Sequence, residues 1–214
     1  MKTISDTSVW RVLTKRYDLT EQQATLLKTY AQALMNWDEF GNLTAITHER
    51  DIVELHFDDS LVLSKFIDLN QVHTLVDIGS GGGCPGIALA IKYPTIHVYL
   101  LEVKRKKLAF LEKLIQELAL TNVELVPLDW RTFLRKTTFD IDLFCARASL
   151  AVPELVRMFK PASPYNHARL VYWASREWLV PKQTALYIRH DWQYHVAGRV
   201  RRLIMFQHPV KENE

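Results

Sequence analysis

The segment from 73 to 86, His-Thr-Leu-Val-Asp-Ile-Gly-Ser-Gly-Gly-Gly-Cys-Pro-Gly, constrains this chain more than any other stretch. An apolar run, Leu75, Val76 and Ile78 around Asp77, feeds a turn holding Gly79, Gly81, Gly82 and Gly83. Cys84-Pro85-Gly86 follows, and then an apolar helical pattern from Ile87 to Tyr93. This reads as a strand, a glycine turn and a helix start. Glycines let backbone approach a ligand closely, and a helix N-terminus favours polar or anionic groups. A second apolar run, Ile96 to Leu101, ends in Glu102. An acidic group about twenty residues past such a turn can accept hydrogen bonds from a ribose. Together these features predict a nucleotide-type cofactor site on a doubly wound sheet.

The rest of the chain extends that pattern. Strands are expected over 73–78, 96–101, 123–128, 140–145, 169–174, 192–197 and 201–207, with helices over 85–93, 104–119, 130–136, 151–160 and 180–189. Alternation of this kind predicts an α/β fold, with a mostly parallel seven-stranded sheet and helices on both faces. The last two strands are joined by a short link at Gly198 and should pair antiparallel. Upstream, residues 5–40 look helical, with Ala24, Leu27, Tyr30, Ala31, Leu34 and Met35 at near-helical spacing. Thr20 and Gln23 have the spacing of a capping box, and Gly41 is placed to end the helix. A second helical region runs from His48 to Phe66. The division expected is a helical N-terminal extension over 1–70 and a cofactor-binding domain over 71–214.

Composition sets the class. The chain has 214 residues, 48% of them hydrophobic, and a formal net charge of +3. That suits a folded globular protein, and the mild basicity permits an RNA partner without requiring one. Its two cysteines, Cys84 and Cys145, have no metal-type spacing, so no metal site is expected and a reduced, cytoplasmic setting fits. No segment approaches membrane-spanning length.

The turn also discriminates between cofactors. A P-loop is excluded because no Gly-Lys-Ser/Thr follows. Gly79, Gly81 and Gly83 give G-x-G-x-G, with Gly86 completing a looser form of the dinucleotide pattern. No second mononucleotide half is visible, which disfavours a nicotinamide cofactor. S-adenosyl-L-methionine is the better choice, with its ribose on Glu102 and its methionine part across Gly79–Gly83. An antiparallel last strand is habitual for Rossmann-like, class I methyltransferases.

At this point the chain resembles the small-subunit rRNA methyltransferase G family, also called glucose-inhibited division protein B. Asn42-Leu43-Thr44-Ala45-Ile46 followed by His56-Phe57-Asp58-Asp59-Ser60-Leu61 is similar to its N-terminal signature. Asp77 through Ile87 is similar to its cofactor loop, and Leu100-Leu101-Glu102 with Lys106-Lys107 and Phe110-Leu111 to its next block. Ala146-Arg147-Ala148 resembles its Ser-Arg-Ala segment, and Arg201-Arg202-Leu203-Ile204 its C-terminal Arg-His-Leu-Val strand. Two places depart from the pattern. Leu128-Asp129-Trp130-Arg131 stands where the family has Ser-Arg-Val-Glu, and Trp173-Ala174-Ser175 where it has Leu-Lys-Gly. Arg176 lies two positions past the missing lysine.

The resemblance implies a methyltransferase acting on N7 of a guanine in 16S rRNA, with 16S rRNA or the small ribosomal subunit as partner and a monomer as the working form. It implies cofactor contacts from Gly79, Ser80, Gly81, Cys84, Glu102, Asp129, Trp130, Arg131 and Arg147. It gives Arg147 the catalytic role and assigns RNA contacts to Lys106, Lys107 and Arg201. The residues read by themselves leave alternatives. Arg147, at the carboxyl end of the fourth strand, stands where such sheets hold substrate, or else is a surface arginine paired with Asp142. Lys104-Arg105-Lys106-Lys107 opens a helix and suits either RNA phosphate or a solvated face. Trp130 either stacks on a base or packs in the core. His56 and Asp59 share a helix face and read as capping or packing residues. Two other classes stay open: a nicotinamide-dependent reductase, and a non-catalytic RNA-binding protein that kept the fold.

Overall fold

Thr20 sets the first long helix. Its hydroxyl accepts from the Gln23 backbone N–H at 3.2 Å, and the Gln23 side chain accepts from the Thr20 backbone N–H at 3.0 Å. The expected capping box is therefore formed, and two otherwise orphaned donors are satisfied. In the computed structural model, which describes residues 4–5, 7–37, 48–147 and 149–209, two helices stand where one long region was expected. These are α1 (Thr7–Tyr17) and α2 (Glu21–Asn36), broken where Asp18 takes a left-handed φ of 48°. The Gly41 stop, Asn42–Ile46 and Ala148 lie outside the described residues.

The 48–66 region is helical but not uniformly α. It runs as α3 (Glu49–Ile52), a π-helical turn (Val53–Asp58), α4 (Asp59–Leu61) and a 3-10 turn (Val62–Lys65). A second 3-10 turn (Leu69–Gln71) leads into the sheet. The alternation then follows: β1 (Thr74–Ile78), α5 (Gly86–Lys92), β2 (His97–Leu101), α6 (Arg105–Glu117), β3 (Val123–Val126), α7 (Trp130–Lys136) and β4 (Leu143–Arg147). Next come α8 (Val152–Leu155) with a 3-10 continuation (Val156–Phe159), β5 (Arg169–Ser175), β6 (Ile188–Val196) and β7 (Arg199–Phe206). The helix expected over 180–189 is a 3-10 segment, Lys182–Tyr187, and β6 already begins at Ile188. Pro181 fixes the entry to that segment, and Ile188 pairs with Phe206 of β7, so the ladder takes the residues a helix would have needed.

The seven strands lie in the order β3-β2-β1-β4-β5-β7-β6. The first five are parallel, while β7 runs antiparallel to β5 and to β6. The β6–β7 link is the two-residue turn Ala197-Gly198, with φ of 48° and 71°. Positive φ at both positions matches the right-handed twist of the strands they join.

Period-two alternation sends neighbouring strand residues to opposite faces. Leu75, Leu100, Cys145 and Leu203 join a core with Leu27, Tyr30, Phe57 and Phe110 from the helical N-terminal region and α6. Val76, Ile78, Phe144 and Ile204 join a second core with Trp130, Phe133, Leu155 and Tyr165. The N-terminal helices therefore share one apolar core with one face of the sheet. Among the described residues no helix is long and apolar enough to cross a membrane.

Candidate functional site

Asp77 organises the glycine turn. It sits in β1 at 1% exposure and accepts the Gly86 N–H at the start of α5 through Oδ2, at 2.9 Å. Burial raises its pKa to about 7, opposed by the Gly86 N–H and the nearby Arg147 charge. Between these anchors the turn doubles back. Gly79 and Ser80 donate their N–H groups to the Leu101 carbonyl of β2 at 2.8 and 3.1 Å, and Gly83 N–H reaches Ser80 O at 2.7 Å. Gly79 and Gly83 hold φ of 70° and 99°, where a side chain is strained. A Cβ on Gly79 would lie 2.6 Å from the Ser149 Cβ, and one on Gly83 would lie 2.7 Å from the Tyr30 hydroxyl.

Glu102 ties this turn to the next strand end. Its carboxylate is 6% exposed. Oε1 accepts the N–H groups of Val103 and Lys104 at 2.8 and 3.0 Å, and Oε2 accepts Gly81 N–H at 3.1 Å. Lys107 lies 3.7 Å from Oε2. The result is a cavity of about 350 Å³ lined by Gly79, Glu102, Lys107, Asp129, Trp130 and Ser149, among others. It opens at the carboxyl ends of β1 and β2, the side where open α/β sheets bind ligands.

The expected cofactor residues divide around this cavity. Gly79, Glu102, Asp129 and Trp130 line it together. Trp130 is also a core residue, 4% exposed, whose indole N–H donates to Glu154 O at 2.9 Å. Asp129 caps α7 by accepting Thr132 N–H at 3.0 Å. Gly81 reaches the cavity wall through Glu102, and the Ser80 hydroxyl donates back to Asp77 O at 2.9 Å. Cys84 lies behind the turn, buried, 3.2 Å from the Tyr30 hydroxyl. Arg131 turns to Glu154, with bonds of 2.7 and 3.0 Å.

Arg147 ends β4 and is held from the N-terminal helical region. It donates to Leu55 O (3.1 Å), Asp59 Oδ2 (3.2 Å) and His56 Nδ1 (3.0 Å). The surface pairing with Asp142 does not occur. Asp142 instead accepts the backbone N–H groups of His73 and Thr74 at 2.7 and 3.0 Å. His56 is the acceptor in its pair with Arg147, since a guanidinium only donates. Burial and the Arg147 charge lower its pKa to about 3, so the ring stays neutral. Capping or packing was the sequence expectation for His56 and Asp59; both instead grip an arginine. The π-helical turn leaves the Leu55 carbonyl and the His56 ring on the Arg147 guanidinium.

The expected RNA contacts are spread more widely. Lys106 is exposed on the first turn of α6, and Lys107 sits at the cavity wall. Arg201 is the third residue of β7 and lies 3.1 Å from Asp59 Oδ2. Arg176 is exposed just past the end of β5. Reading from sequence missed four residues. Tyr30 and Ser149 carry no local signal. Asp77 was detectable as a carboxylate within an apolar strand run, and Asp59 as the neighbour of His56 in the His-Phe-Asp-Asp-Ser stretch.

Comparison with known proteins places this geometry. The chain matches the family model for rRNA small subunit methyltransferase G over residues 23–180. It is 30% identical over 204 residues to the ribosomal RNA small subunit methyltransferase G of Bacillus velezensis, covering 94% of this chain and 82% of that protein. It is 38% identical over 146 residues to the protein of the same name from Desulfitobacterium hafniense, covering 67% of this chain and 60% of that protein. Among solved structures, a putative methyltransferase, yhhF, from Escherichia coli superposes with a TM-score of 0.56 at 18% identity, over 71% of this chain and 88% of that one. A mutant of MtNAS in complex with S-adenosylmethionine gives 0.57 at 14% identity, over 95% and 86%. These two likenesses carry the class I methyltransferase fold. The family match spans the glycine turn, Glu102 and Arg147, and with it this chain belongs to the rRNA small subunit methyltransferase G family.

Proposed function

We propose that this protein is an S-adenosylmethionine-dependent methyltransferase acting on N7 of a guanine in small-subunit rRNA. The observation that carries the reading is the convergence of Gly79, Glu102, Trp130 and Ser149 on one cavity at the carboxyl edge of the sheet. Those residues fit an adenosyl cofactor. Gly79 lines the cavity and packs against Ser149 so closely that no side chain fits there, and the buried Ser149 hydroxyl has no partner among the described residues. Glu102 already holds the strand end by three backbone bonds, so its carboxylate is preorganised toward a ribose.

When bound, the cofactor supplies an electrophilic methyl on a positively charged sulfur. Guanine N7 has a free lone pair at neutral pH and needs no general base. This chain's residues then have two tasks, to fix the acceptor in line and to exclude water. Arg147 is a rigid cation at the end of β4, outside the cavity lining, suited to an oxygen of the RNA substrate at that edge. His56, neutral and accepting from Arg147, fixes that guanidinium and takes up no proton from the reaction.

Neither alternative gains from the structure. No observation favours a nicotinamide-dependent reductase over the adenosyl reading, and the family match disfavours it. A non-catalytic RNA-binding protein would bind cofactor without transferring its methyl group. The deciding experiment is incubation with labelled S-adenosylmethionine and undermodified small ribosomal subunits, followed by mapping of the labelled nucleotide. Label on guanine N7 supports the proposal. Intact cofactor binding with no transfer to subunits or free rRNA refutes it. The working form proposed is a monomer, in a cytoplasmic setting.

A further inference from the structure

Asp59 is fully buried on α4 and is shared by four elements of the sheet. Its Oδ2 meets Arg147 Nη1 of β4 at 3.2 Å and Arg201 Nη1 of β7 at 3.1 Å. Its Oδ1 accepts the Tyr194 hydroxyl of β6 at 2.6 Å, and its backbone carbonyl accepts the Trp173 indole N–H of β5 at 2.7 Å. Strand register puts the two arginines at one edge, since Arg147 pairs with Trp173 and Arg201 with Ser175.

The charges do not balance. Two guanidinium groups meet one carboxylate, His56 is neutral, and Asp77, the other acid near Arg147, is only partly ionised at neutral pH, so the cluster keeps a net positive charge. The Arg147 and Arg201 side chains are only 14% and 27% exposed. A half-buried surplus charge is costly unless a counter-charge meets it. Donors are also left over. Among the described residues Arg147 Nε–H has no acceptor, and the Arg201 guanidinium meets Asp59 as an ion pair without any side-chain hydrogen bond.

We infer that Asp59 is a positioning residue, which holds Arg147 and Arg201 as a two-cation site for a phosphodiester oxygen of the RNA strand. A phosphodiester carries the single negative charge that neutralises the surplus, and guanidinium forks match its geometry. The inference rests on the rRNA reading above.

The test uses the full chain with Arg201→Gln and Asp59→Asn. Binding to undermodified small subunits is titrated against salt, cofactor affinity is measured with S-adenosylhomocysteine, and transfer is resolved into kcat and KM. Arg201→Gln should flatten the slope of log affinity against log salt by about 0.7–0.9 and raise KM for RNA about tenfold. Cofactor affinity should stay within about twofold. Asp59→Asn should lower kcat about tenfold or more, and its effect should not add to that of Arg201→Gln. An unchanged salt slope and KM in Arg201→Gln would overturn the inference. So would a loss of cofactor affinity in place of the slope change, because the oxyanion would then belong to the cofactor. If Asp59→Asn does not fold, the Arg201→Gln slope decides alone. Failure of the wild type to transfer methyl sinks the proposed reaction, while the salt slopes still report on the RNA site.

Discussion

The Tyr30 phenol donates a 2.6 Å hydrogen bond to the Gly82 carbonyl, so a helix far upstream in sequence holds the glycine turn in shape. Tyr30 is fully buried, tilts against Phe57 at 5.0 Å between ring centroids, and stands where a Cβ on Gly83 would collide. The N-terminal helices thus shape the glycine turn as well as covering the sheet.

Tyr30→Phe removes that bond and the 3.2 Å contact with Cys84 Sγ, and leaves the ring in place. Stability should fall by about 1–2 kcal/mol, because the part-buried Gly82 carbonyl loses its donor. Affinity for S-adenosylhomocysteine should fall several-fold as the turn loosens. Denaturant unfolding and titration calorimetry measure the two effects. Wild-type values for both would show that the hydroxyl does not shape the turn.

Gly79→Val should abolish cofactor binding. The new Cβ falls 2.6 Å from the Ser149 Cβ at a φ of 70°, which a β-branched residue strongly disfavours. The strain should cost about 1–3 kcal/mol of stability without unfolding the chain. Circular dichroism alongside cofactor titration checks this, and retained affinity would place the cofactor elsewhere.

Arg147→Lys keeps the charge and loses the fork that spans Leu55 O, Asp59 and His56 Nδ1. Loss of one charge-assisted bond to substrate corresponds to about a 10- to 100-fold lower rate of transfer. Single-turnover methyl transfer measures it. A lysine variant as fast as the wild type would remove Arg147 from the site.

Stability should depend on pH through two groups of opposite sign. His56 titrates near 3 when folded and at its ordinary 6.5 when unfolded. Its contribution is fully present above pH 6.5 and is lost as pH falls from there towards 3. Asp77 is raised to about 7, so its contribution is present at acid pH and is lost as pH rises through 7. His56→Asn isolates the first term. Wild-type stability minus that of the variant should rise between pH 4 and 6.5, by at most about 1.4 kcal/mol per pH unit, and level off above pH 7. A flat difference across that range would mean that the folded imidazole titrates normally.

Local rules made much of this molecule readable. The Thr20–Gln23 box, the glycine turn and the Ala197-Gly198 link depend on neighbours in sequence, and all three form as their residues dictate. The strand and helix order follows from apolar period alone. Local rules failed where a distant partner outweighed them. Residues 188–189 read as the end of a helix, but the β7 ladder draws Ile188 into β6. Arg147 and Asp142 are near in sequence and opposite in charge, yet Asp142 is taken by the backbone at the start of β1.

By itself, the sequence determined the fold class, the position of the glycine turn and the acidic residue at the end of β2, because each is encoded by spacing within a short segment. Only the tertiary structure decided how Tyr30, His56 and Asp59 serve that turn and Arg147. Their contacts cross from the N-terminal helices to the carboxyl edge of the sheet. No periodicity records such a contact, since it arises when buried donors and acceptors far apart in the chain must satisfy one another.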